Sequence, residues 1–256
     1  MPFIFGLIVL ISTIVFCVLS GGRWFEAQDP NATGTKEFAN SLNRVFGPFY
    51  MLGYFTVQTN LFLGIMLIIY ACLPNSSRAG SFFMGSVSLI TMTFVIYWAA
   101  LAPGVEAYQW LNAYSLISSL FLHAINPILG FVVLIALRHY LVLNKRIIGV
   151  CSMYVSFFVA YHAILYGAGA VVGENGNVQG AHIYSFLDVQ RILFIDLKNV
   201  PALAVFINVL ILLFSPFILI LVNYLWAKVL RISYIDNSYF AWMEKIKDKI
   251  RIKKSK

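Results

Sequence analysis

Polar side chains able to act on a substrate are concentrated at three places in an otherwise apolar chain. Thr56, Thr59 and Asn60 lie in Tyr54-Phe-Thr-Val-Gln-Thr-Asn-Leu61, His123 and Asn126 lie in Phe121-Leu-His-Ala-Ile-Asn-Pro127, and His162 lies in a third apolar run. No water satisfies such groups in hydrocarbon, so an intramembrane ionisable residue reads by default as functional. One chemistry is nucleophilic hydrolysis. His123 would remove the Thr56 proton, the hydroxyl oxygen would attack an ester carbonyl, and the histidine would then protonate the leaving alkoxide. A metal site would use His123, His162 and either His182 or Asp188, but the sequence has no HxxxH or HExxH pair to support it. A transport or proton-relay site would also favour polar groups in the membrane, yet no span carries a clear acid and no inverted repeat is evident. Against all three stand plain structural roles: threonines bond back to the carbonyl a turn earlier, and buried histidines join helices. His139 and His182 fall in predicted loops and read as ordinary surface or interfacial residues.

These residues must be positioned by membrane helices. Of 256 residues 61% are hydrophobic and 11% charged, with mean hydropathy +0.83, and the apolar residues recur in runs of about 20. Roughly ten-residue alternating segments, as in an outer-membrane barrel, are absent. The fold class is therefore all-α, a polytopic bundle. Its six predicted spans are Phe3–Leu19, Gly47–Leu73, Ser81–Leu101, Trp110–Leu137, Ile147–Val172 and Pro201–Trp226. The first lacks the charged start and the cleavage site of a signal peptide, so it reads as a span. A short interfacial helix is expected over Lys36–Val45, a loop over Gly173–Gly180, and an interfacial return over Ala181–Val200. The three cysteines, Cys17, Cys72 and Cys151, show neither CxxC nor metal spacing. No cofactor is implied.

The net charge of +8 resides mostly in residues 228–256, where nine Lys/Arg face three acids. That balance suits an anionic lipid surface rather than nucleic acid. Residues 1–228 thus form the transmembrane domain and 229–256 a basic tail, in which Tyr239, Met243, Ile246 and Ile250 recur at helical spacing opposite Lys245, Lys247, Lys249 and Arg251. With the N-terminus inside, the inner segments carry thirteen Lys/Arg and the outer segments five. Both termini are expected to be cytoplasmic, in a multi-pass protein of the cell membrane.

This topology places Thr56, His123 and His162 at roughly 14 to 20 Å from the outer ends of their spans, counting 1.5 Å per residue. Gly53, Thr56, Asn60 and Gly64 share one small, polar helix face, and Ser115, Ser119, His123 and Asn126 form a stripe on another. Tyr166 and Gly169 accompany His162. Pro127 has no N–H, so the carbonyl of His123 loses its helical donor and the helix should distort there. A lipid-accessible cavity is expected between spans two, four and five.

The order of the TVQTN stretch, the HAINP motif, the His162 helix and Tyr184-Ser-Phe-Leu-Asp188 resembles bacterial Pr-six-Pr family membrane proteins. More distantly it resembles the animal androgen-induced and androgen-dependent membrane hydrolases, over about residues 1–226. In those animal proteins an intramembrane threonine and histidine hydrolyse fatty acid esters of hydroxy fatty acids. The resemblance implies Thr56 as nucleophile and His123 as base, with Thr59 a second candidate in the same motif. His162, Asn60, Asn126 and Asp188 are the expected supporting groups, and membrane lipids and a lipid-like substrate the expected partners. The alternative is a non-enzymatic transporter or lipid-binding scaffold.

Overall fold

The computed structural model describes residues 1–27, 46–102, 113–168, 171–172, 178–179 and 200–234. Trp110, His182, Asp188, the Lys36–Val45 segment and the tail beyond 234 lie outside the described residues. The described residues form seven α-helices: α1 (Pro2–Ala27), α2 (Phe55–Cys72), α3 (Ser77–Ile96), α4 (Ala113–Leu120), α5 (Asn126–Leu137), α6 (Lys145–Ala168) and α7 (Pro201–Leu230). A five-residue π turn, Tyr97–Leu101, extends α3, and a second, Phe121–Ile125, joins α4 to α5 in one span. Among the described residues, six helical stretches are thus long and apolar enough to cross a membrane. The protein is a multi-pass helical membrane protein.

Span three is the axis of the bundle. Its most apolar window is 72% buried, against 17% for span six, whose residues largely face outward. Small residues make the central position workable, because they let neighbouring backbones approach closely. A methyl group added at Gly85 would lie 2.6 Å from Sγ of Cys151 on α6. Two fully buried serine hydroxyls of α3 are satisfied within the helix: Ser86 donates to the carbonyl of Phe83 at 2.7 Å and Ser88 to that of Met84 at 3.0 Å. Between α1 and α2 the same device recurs, since a Cβ at Gly64 would sit 2.6 Å from Cγ of Leu10. Exposed Ile4, Ile11, Val18, Phe206, Leu213 and Phe217 show where α1 and α7 meet lipid.

Successive spans run in opposite directions, since α1, α3 and α6 start, and α2, α5 and α7 end, toward the same side of the bundle. Met1, Pro74, Ser76, Tyr140 and Val142 line one cavity of about 720 Å³, which puts the N-terminus and two connections on a single face. On that face β1 (Val142–Leu143) pairs in parallel with β4 (Ser233–Tyr234), beyond the end of α7. The described chain thus continues beyond Leu230 to Tyr234 on this face.

Several boundaries differ from expectation. Span two is not one helix from Gly47, because Gly47–Gly53 forms a 3-10 segment and Tyr54 is extended at φ −79°, ψ 134°. Gly47, at φ +54°, and Pro48 at the first turn start this segment, and α2 begins only at Phe55. Ser76 caps α3, its hydroxyl accepting from the Ala79 N–H at 3.2 Å. Span five ends at Ala168, and β2 (Val171–Val172) pairs antiparallel with β3 (Val178–Gln179) across part of the expected loop. Span six runs on to Leu230, where Arg231 at φ 56° closes the helix.

Candidate functional site

The proline at 127 explains the geometry around His123. The Asn126 N–H bonds the carbonyl of Phe121, five residues back, in the π turn. The Leu122 carbonyl thereby loses its ordinary donor, and the His123 carbonyl loses its own because Pro127 has no N–H. Buried carbonyls left unpaired are costly, and both are capped from neighbouring spans. Asn60 Nδ2 donates to the Leu122 oxygen at 3.0 Å, and Trp98 Nε1 donates to the His123 oxygen at 2.8 Å. Pro216 inside α7 has a parallel solution, in which Ser156 donates to the Leu212 carbonyl at 2.8 Å and Ser215 does so at 3.2 Å.

Asn60 is the centre of a buried network. Its Nδ2 also donates to the Thr56 carbonyl at 2.8 Å, so both amide hydrogens are committed. Its Oδ1 accepts from Asn126 Nδ2 at 2.9 Å, and Asn126 Oδ1 accepts from Ser12 of α1 at 3.2 Å. Asn60 and Asn126 are fully buried. One side chain thus ties the backbone of the Thr56 turn to the π turn that carries His123.

Two cavities meet at these residues. The first, about 260 Å³, is walled mainly by Phe55, Met92, Ile96, Val155, Phe158 and Ile218 and is apolar. The second, about 240 Å³, carries the hydroxyl-bearing residues Tyr54, Ser118 and Ser119. Thr56, Tyr97, Leu101 and His123 line both, and so form the partition between them. Spans three and six join the expected spans two, four and five around the apolar cavity, because the central helix and the Ser215 region of α7 close it. Counting 1.5 Å per residue from the helix ends at the Met1 face, Thr56 stands at ~24 Å, His123 at ~21 Å and His162 at ~26 Å.

The imidazole of His123 stacks on the Tyr97 ring, with centroids 3.6 Å apart and planes 8° from parallel. Its Nδ1 is buried and, among the described residues, has no hydrogen-bond partner. A buried lone pair is less costly to leave unmet than a buried N–H, which favours the tautomer protonated at Nε2.

Not every expected residue meets the cavities. His162 is buried on the face of Val155, Phe158 and Val159, one turn beyond them, and lines neither cavity. Thr59 is fully buried, donates to the Thr56 carbonyl at 3.0 Å and lies 2.9 Å from the Thr93 hydroxyl. It too is absent from both walls. Among the described residues no three His, Cys, Asp or Glu side chains cluster as metal ligands. Tyr97 and Trp98 were not singled out from the sequence. A signal was present: Tyr97 precedes Pro103 by the same six residues that separate Phe121 from Pro127.

The fold and this partition define a multi-pass helical membrane protein with a polar site inside the bundle. The "Uncharacterized protein MG452" of Mycoplasma genitalium is 40% identical over 80 residues, which cover 30% of this chain and 31% of that protein. Its Mycoplasma pneumoniae homolog is 41% identical over 80 residues, or 29% and 30% of the two chains. The chain thus matches about three-tenths of the length of these curated relatives. No protein-family model matches it, and no solved structure does.

Proposed function

We propose that the protein is an intramembrane hydrolase of lipid-like esters, with Thr56 as nucleophile and His123 as general base. The observation that carries this reading is the shared partition: an apolar chamber and a hydroxyl-lined chamber meet at Thr56 and His123. Such a junction suits a substrate with an acyl chain on one side of its ester and a polar group on the other. Thr56 is preferred to Thr59 because Thr59 lines neither chamber.

In the reaction the Thr56 Oγ1–H proton passes to His123 as Oγ1 bonds the ester carbon. The bond to the alkoxide then breaks, and His123 returns the proton to that oxygen. Water repeats the sequence on the acyl-threonine, releasing the acid and restoring the hydroxyl. Asn60 and Asn126 serve as positioning residues, since their contacts hold the two catalytic turns together. The resemblance to the Pr-six-Pr family and the animal membrane hydrolases supports the same pair. In the membrane, the Met1 face would be cytoplasmic by the positive-inside rule, with the catalytic pair nearer the outer side.

The test is labelling of purified protein by a fluorophosphonate probe, comparing wild type with Thr56→Ala, Thr59→Ala and His123→Ala. The expected result is labelling lost in Thr56→Ala and His123→Ala and kept in Thr59→Ala. Labelling that persists in both of the first two variants refutes the pair. A wild type that neither labels nor hydrolyses p-nitrophenyl esters favours a transporter or lipid-binding scaffold.

A further inference from the structure

We infer a binding site for the headgroup of an anionic phospholipid where the start of α6 meets the end of α7. The β1–β4 pairing brings these two helix ends together, joining Val142 to Ser233 and Leu143 to Tyr234. Four exposed cations, Lys145, Arg146, Lys228 and Arg231, flank this junction. No acid accompanies them among the described residues of that face.

Each lysine is held against an aromatic ring. The Lys145 ammonium lies 5.8 Å from the centre of the Tyr234 ring, and that of Lys228 lies 5.8 Å from the Tyr224 ring. Such contacts fix the position of a cation without neutralising it. Helix stability does not account for the arrangement at α6, because a helix N-terminus favours acids and this one begins with Lys145 and Arg146. Asn144 already occupies N–H groups of this helix end, its Oδ1 accepting from Arg146 at 3.0 Å and its carbonyl from Ile147 and Ile148 at 3.1 Å, so the unneutralised charge that an anion would relieve is that of the side chains.

The occupant is a lipid rather than a free anion because of what adjoins the cations. Tyr224, Leu225 and Val229 are exposed on the outermost helix, beside Lys228, and offer an apolar wall for acyl chains. A phosphate at this level and chains along α7 match the amphiphile that surrounds the protein.

The test uses the full chain in nanodiscs of phosphatidylcholine with one-fifth phosphatidylglycerol, reading the retained lipids by native mass spectrometry. The variants are Lys145→Gln/Arg146→Gln, Lys228→Gln/Arg231→Gln, Arg23→Gln at the opposite end of α1, and a chain with the cations of residues 245–256 changed to Gln. Each surface cation is worth on the order of fivefold, so each double variant should lower phosphatidylglycerol preference by about tenfold or more. Arg23→Gln should stay within about twofold, and the altered tail should leave the preference in place. Lys145→Arg/Lys228→Arg should retain it too, which separates charge from folding. Double variants that behave like Arg23→Gln, loss of preference on altering the tail alone, or displacement of the lipid by glycerol phosphate would each overturn the site.

Discussion

Replacing Trp98 by Phe keeps an aromatic ring while deleting the N–H that caps the His123 carbonyl at 2.8 Å. That carbonyl has no i+4 backbone donor, because residue 127 is proline. An acceptor stripped of its partner inside a membrane bundle costs about 0.6 to 3 kcal/mol, the range spanned by interhelical bonds in membranes and by buried unsatisfied groups. The structure makes a sharper statement about coupling. Pro127→Ala supplies a backbone N–H to the same turn, so the Trp98→Phe penalty should shrink by about 0.5 kcal/mol or more in that background. The measurement is a double-mutant cycle on unfolding in mixed micelles. Equal penalties in the two backgrounds would refute the account of Trp98 as a replacement for the missing helical donor.

Asn60→Ala uncaps the Leu122 carbonyl and leaves Asn126 Nδ2 without its acceptor, so it should destabilise by about 2 to 3 kcal/mol in the same unfolding assay. Gly64→Leu drives a side chain into Leu10, where even a Cβ would approach to 2.6 Å, and should cost at least about 1 to 3 kcal/mol with splaying of α1 from α2. Distance measurements between spin labels on those helices would detect the splaying. Tyr97→Ala removes the surface on which His123 stacks and should lower ester hydrolysis while leaving far-ultraviolet circular dichroism unchanged; Tyr97→Phe should retain most of the activity. Equal loss in both would assign the role to the phenol hydroxyl rather than to the stack.

The spans were readable because each is a long apolar run, and hydrocarbon imposes helices on such runs regardless of their details. The disturbance at His123 was readable for a similarly local reason, since Pro127 removes a donor wherever it stands. What Pro127 could not reveal was that the turn would become π, freeing the Leu122 carbonyl as well. Nor could it reveal that the two caps would come from Asn60 and Trp98, 62 and 25 residues distant. Those partners depend on packing, which no single window of sequence contains. The 3-10 entry to span two was masked in the same way: Gly47-Pro48 and Gly53 are punctuation, but they sit inside an apolar run that reads as one helix. The common height of Thr56 and His123 followed from counting residues. Their common walls required span three, whose Tyr97 stands between the two chambers.

The pairing of β1 with β4 also bears on the order in which the chain assembles. Residues 142–143 leave the ribosome some 90 residues before their partners, so their backbone groups wait while α6 and α7 are synthesised and inserted. During that interval Leu143, fully buried in the finished protein, lacks the covering of the chain beyond α7. Closure of this long loop is slow compared with forming helix hairpins, which makes it a natural last step. A chain released after Leu230 would hold all six membrane spans and still be missing the strand that completes its Met1 face.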